Sequence, residues 1–179
     1  MTTTLQSAVQ AQLGWTWRDH VGLAPVVDSN RLLFSLDLAD GAEPNEADAV
    51  WHVESQGLAA GEETTLELDA LAQELFGDTI VIPFARIKAI LIVNRSAEGG
   101  ILAVGGAEAD EWYAPFGAPG DTARVMPGSP LLLSHVGEGW EVTPESYALK
   151  LAAVGGDVAF DVAVLGTLPG AESSSSSGI

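Results

Sequence analysis

The chain has 179 residues, of which 47% are apolar, and it carries a net charge of −18 with only seven Lys and Arg residues. This length fits one domain, and the apolar fraction is enough for a hydrophobic core, which excludes a wholly disordered chain. Seven cationic side chains are too few to neutralise a run of phosphates. The composition therefore disfavours direct binding to nucleic acid or to an anionic membrane. The negative charge is typical of a protein that stays soluble and whose free copies repel one another.

Cysteine is absent, which removes disulfides, thiolate metal sites and cysteine nucleophiles. Residues 1–12 have neither the basic nor the apolar region of a signal peptide, so we expect no recognisable export signal. The longest strongly apolar run, residues 87–93, contains Lys88 and is too short to span a bilayer.

Short segments of alternating apolar and polar residues dominate the chain, separated by Gly, Pro, Asn and Asp. Six of these segments are predicted strands: 31–38, 50–55, 79–83, 86–94, 147–153 and 158–164. The runs at 79–83 and 86–94 are continuously apolar, which is typical of strands buried on both faces. Glycine-rich turns recur regularly beyond Asn94. The pattern predicts an all-β protein, an antiparallel β-sandwich or jelly roll with about nine or ten strands.

One short helix is predicted near residues 68–76. Four apolar residues recur there at helical spacing, namely Leu68, Leu71, Ala72 and Leu75. Asp69 is a suitable N-terminal cap, and Gly77 is a natural stop signal.

Three regions are expected along the chain: an N-terminal arm or docking segment (1–20), a β-sandwich domain (21–168) and a flexible Ser-rich tail (169–179). The tail contains five consecutive serines and cannot bury enough surface to offset the entropy of ordering. The arm contains Trp15 and Trp17, two large apolar side chains on one face of any strand there. Tryptophan is enriched in interface hot spots, so we expect the arm to be an added edge strand or a docking element.

Candidate catalytic and metal-binding residues are few. His20, His52 and His135 lie in three separate segments, so they are interpreted as isolated surface or edge-strand histidines. The acidic loop at residues 40–48 has enough carboxylates to wrap Ca²⁺ but lacks the EF-hand order, so a solvated loop is favoured. No nucleophile motif or phosphate-binding fingerprint is present. We therefore expect no enzyme activity, no metal and no cofactor.

A second acidic patch lies beside aromatic residues. Glu108, Asp110 and Glu111 precede Trp112 and Tyr113, a combination that also occurs in glycan-binding sites. For Trp112 the sequence leaves two alternatives equally open, a core position and an interface position. The candidate interface residues are Trp15, Trp17, Trp112 and Tyr113.

The second half of the chain carries a family resemblance. A strand at 84–94 ends in Asn94, a Val104-Gly105-Gly106 turn follows, and a hairpin begins at Pro127-Gly128 before the terminal strands at 149–152 and 160–166. This arrangement resembles small β-sandwich virion proteins encoded in the structural modules of tailed phages and prophages, over about residues 64–167. The chain departs from their pattern at Ser129, where Gly is commoner, and at Phe160, where Tyr is usual.

The resemblance implies a non-enzymatic structural virion protein, either a capsid decoration or head-fibre protein or another head or tail component. Such a protein would be made in the host cytoplasm and then form part of the virion. The implied partners are further copies of the same chain, with a trimer favoured, and other virion proteins such as the major capsid protein; neither nucleic acid nor membrane is among them. The alternative function is a receptor- or glycan-binding module on a particle surface.

Overall fold

A computed structural model describes residues 4–21, 24–75 and 77–170. They form thirteen strands: β1 (Ser7–Val21), β2 (Ala24–Leu38), β3 (Ala49–Leu58), β4 (Glu63–Glu67), β5 (Leu71–Leu75), β6 (Asp78–Ile82), β7 (Arg86–Asn94), β8 (Ile101–Gly105), β9 (Thr122–Val125), β10 (Pro130–Ser134), β11 (Trp140–Glu141), β12 (Ala148–Val154) and β13 (Val158–Thr167). No helix is present among these residues. The Ser-rich segment from residue 171 onward lies outside the described residues.

The body is an antiparallel sandwich, which confirms the predicted fold class. One sheet has the order β10-β7-β13-β3, with β11 also paired to β7, and the other has the order β4-β12-β8-β9. The core lies between the two sheets. Ile90 and Val164 of the first sheet belong to the same buried cluster as Leu102 and Leu151 of the second. Alternation along β12 and β13 gives each strand one buried apolar face, and these faces meet.

The predicted helix near residues 68–76 is wrong. After a turn at residues 68–70, β5 pairs with β6 as a hairpin, with Leu71 opposite Ile82 and Gln73 opposite Ile80. The intervening turn includes Gly77 at a φ of +92°, a conformation that favours glycine. The spacing of Leu68 and Leu71 matched a helix by coincidence, because both are buried from opposite ends of a turn rather than from one helix face.

The continuously apolar run at 79–83 is less buried than its composition indicates. Ile80 and Val81 are exposed on β6, and only Ile82 faces the core. The run at 86–94 does lie centrally, since β7 pairs with β10, β11 and β13, yet Leu91 is exposed on its outer face. Two apolar patches are thus left uncovered.

Gly166 marks the tightest approach between central strands. It lies at a shift in register between β13 and β7, where a Cβ atom would overlap the carbonyl oxygen of Arg86 and come within 2.8 Å of the Phe84 ring. Gly166→Ala is therefore expected to lower the free energy of unfolding by about 3 kcal/mol, measured by denaturant titration.

The matched control for this change is Gly57→Ala. Gly57 is also in a strand paired with β13, but it is exposed and the nearest atom to its Cβ would be 4.0 Å away. We expect that change to stay within about 0.5 kcal/mol of the wild type. Equal losses in the two variants would show that Gly166 is not tightly packed.

Candidate functional site

The first two strands form a long hairpin, here called the arm. Their register is continuous from Ser7 opposite Leu38 to Val21 opposite Ala24, and β1 and β2 make a separate two-stranded sheet. At about 3.3 Å per residue, fifteen paired residues extend to roughly 50 Å. The boundary expected at residue 20 thus falls inside this hairpin, and the strand predicted at 31–38 belongs to the arm rather than to the sandwich.

The arm has one mainly apolar face and one mainly polar face. Directly paired residues point to the same face of a sheet, so the register shows which side chains lie together. Its apolar face carries the odd-numbered side chains of β1 and the even-numbered side chains of β2. We define the arm face as the exposed apolar members of that set: Leu13, Trp15, Trp17, Val26, Leu32 and Phe34. Asn30 and Asp28 lie on the same side as the arm face, opposite Trp15 and Trp17. The other side carries mainly polar residues such as Gln12, Thr16 and Arg31, and Val27 and Leu33 are also exposed there.

The arm face begins in the core and ends in solvent. At the root, Val9 and Leu38 are buried in a second apolar cluster with Ala47 and Ala89. Beyond the root the same face is uncovered: Trp15 is 42% exposed, Trp17 71% and Leu32 70%. Contiguous exposed apolar surface of this kind marks an interaction site. The structure thus places Trp15 and Trp17 together on one exposed face.

Polar contacts hold the arm in register without covering this face. The Trp15 indole N–H donates to the Asp28 carboxylate at 3.0 Å. On the opposite face, the hydroxyls of Thr16 and Ser29 lie 3.1 Å apart. These bonds add to the backbone pairing that runs the length of the arm and sets its register, so the arm face is an ordered surface rather than a loose chain.

The outer side of the β10-β7-β13-β3 sheet forms a second apolar surface, which the arm root covers in part: Ala89 is buried there, and Leu132 and Leu165 pack against the same cluster. In one row across the strands, Leu132, Leu91 and Ala163 are neighbours; in the next row, Ala89, Leu165 and Val50 are neighbours. These six residues and residues 7–10 of the same chain's arm root together line a groove of about 600 Å³, here called the sheet groove. Val50 and Leu91 are its most exposed members.

Trp112 occupies the core, one of the two alternatives left open by the sequence. It is 0% exposed, its indole N–H donates to the Glu141 carbonyl at 2.9 Å, and its ring meets Trp140 edge-on. A buried ring offers no surface to a partner, so Trp112 is not part of the arm face or of any exposed platform. Tyr113, next to it, is exposed.

The carboxylate of Glu111, next to Trp112, holds two turns in place. Glu111 accepts the backbone N–H of Gly106 at 2.8 Å through one oxygen and that of Gly120 at 2.7 Å through the other. Its two oxygens are thereby engaged by the protein itself. The combination of paired acids and a stacking tryptophan, which would favour a glycan site, is not assembled here.

The acidic loop at 40–48 is also tied down by its own carboxylates. Asp40, Glu46 and Asp48 each accept one backbone N–H, from Leu5, Glu43 and Leu168 respectively. Within residues 4–21, 24–75 and 77–170, no three His, Asp or Glu side chains converge as a metal site would require. In the same part of the chain, no helix has the length and hydropathy to cross a bilayer.

A buried lysine lies against that loop. Lys88 is 1% exposed, and its ammonium donates to the Glu43 carbonyl at 3.3 Å and to the Gly137 carbonyl. Burial lowers the pKa of Lys88 below its usual 10.5, while the charge of Glu138 opposes this shift. Lys88 therefore joins two loops at the cost of a desolvated cation.

This lysine predicts a specific dependence of stability on pH. The pKa of Lys88 is lower in the folded chain than in the unfolded chain. As the pH approaches 10.5, the unfolded chain therefore binds more protons than the folded chain. The contribution of Lys88 to stability consequently rises with pH over this range. Relative to Lys88→Met, the wild type is expected to gain free energy of unfolding as the pH rises towards 10.5. Lys150→Met, at a partly exposed lysine of the same charge, is the control. Parallel pH profiles for wild type and Lys88→Met would contradict this assignment.

The three histidines stay apart. His20 lies on the arm and His52 on the outer side of β3, and both are exposed. His135 is exposed beside Trp140, with ring centroids 5.5 Å apart. None of the three approaches another histidine as a ligand set would.

Sequence reasoning missed the sheet groove and the pairing of the predicted strand at 31–38 with residues 7–21. The alternation in residues 9–17 is the signal that could have indicated a strand pairing with 31–38. The groove has no local signal, since its residues come from four strands distant in sequence. Comparisons with family models, with curated proteins and with solved structures found no match to this chain.

Proposed function

We propose that this protein is a non-enzymatic structural protein that joins a multi-copy assembly through its arm face. The observation that carries the proposal is the mainly apolar face that is buried at Val9 and Leu38 and then extends uncovered to Trp17 and beyond it. A two-stranded hairpin alone is marginally stable in water, so an arm of this length gains stability when a partner covers it. An acidic body keeps free copies soluble until they assemble.

The assembly we propose is the virion of a tailed phage, in which the chain serves as a capsid decoration protein or another head or tail component. Support comes from the resemblance at 84–94, 101–106 and 124–133. In the structure these segments contain β7, β8 and parts of β9 and β10; β7 and β8 are inner strands, and β9 and β10 are edge strands of their sheets. Its partners would be further copies of itself and neighbouring virion proteins such as the major capsid protein.

A receptor- or glycan-binding module is the alternative, and it has less support. It relied on Trp112 and Tyr113 as a stacking platform beside carboxylates. Trp112 is buried and Glu111 is engaged with backbone N–H groups, so Tyr113 is left as the exposed aromatic side chain of that set, beside the exposed Glu108 and Asp110.

The proposed function is tested by composition of purified particles. Virions produced by cells that carry this gene should contain the chain in a fixed ratio to the major shell protein, measured by quantitative mass spectrometry. A variant carrying Trp15→Ala and Trp17→Ala should remain soluble in the lysate and be depleted from the particles. Particles that contain none of the wild-type chain would overturn the assignment to a virion.

A further inference from the structure

We propose that the arm face of one copy docks in the sheet groove of a second copy of this chain. The inference rests on the proposed assembly function and specifies it by naming the partner and both surfaces. Each copy has one arm face and one sheet groove, so a set of copies related by rotational symmetry covers every such surface.

The exposed area of the arm face is large enough for a stable interface. The six side chains of the arm face expose on the order of 700 Å², by typical side-chain areas. A standard interface buries roughly 800 Å² on each partner, and the largest apolar patch on a typical monomer is roughly 300–600 Å². The arm face thus has about the size that a stable association needs, and it contains Trp15, Trp17 and Phe34, residue types typical of interface cores.

The same chain also carries a partly uncovered apolar surface, the sheet groove, that could pack against the arm face. The sheet groove is lined mostly by aliphatic side chains, with Ser7 and Gln10 of the arm root at its side, and Val50 and Leu91 are its most exposed members. An arm docked on another arm would leave these residues in water. Docking in the groove would cover Val50 and Leu91 together with part of the arm face.

The net charge of the arm is much smaller than that of the rest of the chain. Two arginines and three aspartates lie between residues 7 and 38, a net charge of −1, whereas the rest of the chain carries −17 of the total of −18. A cationic partner would be drawn to the strongly acidic body rather than to this nearly neutral arm. Because the whole arm carries only −1, it meets an acidic body with little net repulsion, which allows a second copy as the partner. Asp19 and Asp28 lie on the same side of the hairpin as the arm face, and Arg18 and Arg31 lie on the opposite side.

Cysteine cross-linking tests this docking directly. The chain has no cysteine of its own, so only introduced thiols react with the cross-linker. The full chain with Leu32→Cys, on the arm face, is mixed at micromolar concentration with the full chain carrying Ala163→Cys, in the sheet groove, and a short bis-maleimide is added. Docked partners have an effective concentration near the millimolar range, so we expect the mixed covalent dimer at least about ten-fold faster than from random encounter. Ser29→Cys, on the polar face of the arm, is the control in place of Leu32→Cys.

Each outcome of this experiment decides the inference. Fast coupling of Leu32→Cys to Ala163→Cys, with slow coupling of Ser29→Cys, supports docking in the groove. Fast coupling of Leu32→Cys to itself alone shows arm-to-arm docking and overturns it. Slow coupling in every mixture overturns docking between copies, yet leaves the proposed function standing if the chain is still found in particles, because the arm then binds a different protein.

Discussion

Replacing Trp15 and Trp17 together by Ala is expected to leave the sandwich folded and to weaken assembly strongly. Both side chains are largely exposed in the single chain, so their loss removes little burial from the body. A tryptophan lost from the centre of an interface typically costs about 2 kcal/mol or more, which is roughly thirty-fold in Kd. The double variant should therefore lose at least that factor in self-association, measured by sedimentation over a concentration series.

The matched control is Gln12→Ala with Thr16→Ala, on the same strand but on the polar face. It removes side chains of β1 without changing the charge or the arm face, and we expect it to assemble like the wild type. Global unfolding of the tryptophan variant would show that these residues hold the single chain together. Unchanged assembly of that variant would show that the arm face is not the docking surface.

Asn94→Asp is expected to be the most destabilising single change in the body. Asn94 is 0% exposed, and its amide nitrogen donates to the carbonyls of Gly100 and Val125, both at 3.0 Å. It thereby joins the end of β7 in one sheet to β9 and the start of β8 in the other. A carboxylate donates no hydrogen bond and would face two carbonyl oxygens in the core.

The expected loss for Asn94→Asp is about 3–5 kcal/mol near neutral pH, as for an uncompensated buried charge. Part of it should be recovered at acidic pH, where the introduced carboxyl is protonated and donates one bond. Thermal and denaturant unfolding across pH measure both effects. Asn30→Asp, at an exposed position on the arm, is the control and should show neither. Equal stability of the two variants would mean that Asn94 does not bridge the sheets.

The sandwich was predictable because its strands bury alternate residues. The patterns at 147–153 and 158–164 correspond to β12 and β13 within a few residues, and Asn94 does end its strand. The helix near 68–76 was not predictable as a hairpin, since β5 is held by pairing with β6 and by the Trp51 indole bond to the Ala72 carbonyl. Tertiary pairing overrides local periodicity in so short a segment.

The arm was predictable only in part. Two tryptophans ahead of the first predicted strand indicated docking or an added edge strand, and the structure shows that β1 pairs with β2. The pattern at 32, 34, 36 and 38 correctly indicates one apolar face, but alternation does not say whether that face is covered within the chain. Leu38 is buried and Leu32 is exposed, although both belong to the same pattern.

The central claim is that the arm face is covered when copies assemble, and hydroxyl-radical footprinting of the full chain tests it most directly. Oxidation of Trp17 is measured by mass spectrometry from dilute to concentrated protein. Met126, exposed on the body, and Trp112, fully buried, are internal references of high and low reactivity. The account predicts that Trp17 is oxidised readily in dilute protein and becomes protected as the concentration rises, while Met126 stays reactive. Trp17 that remains as reactive in concentrated protein and in assembled particles as in dilute protein would contradict it.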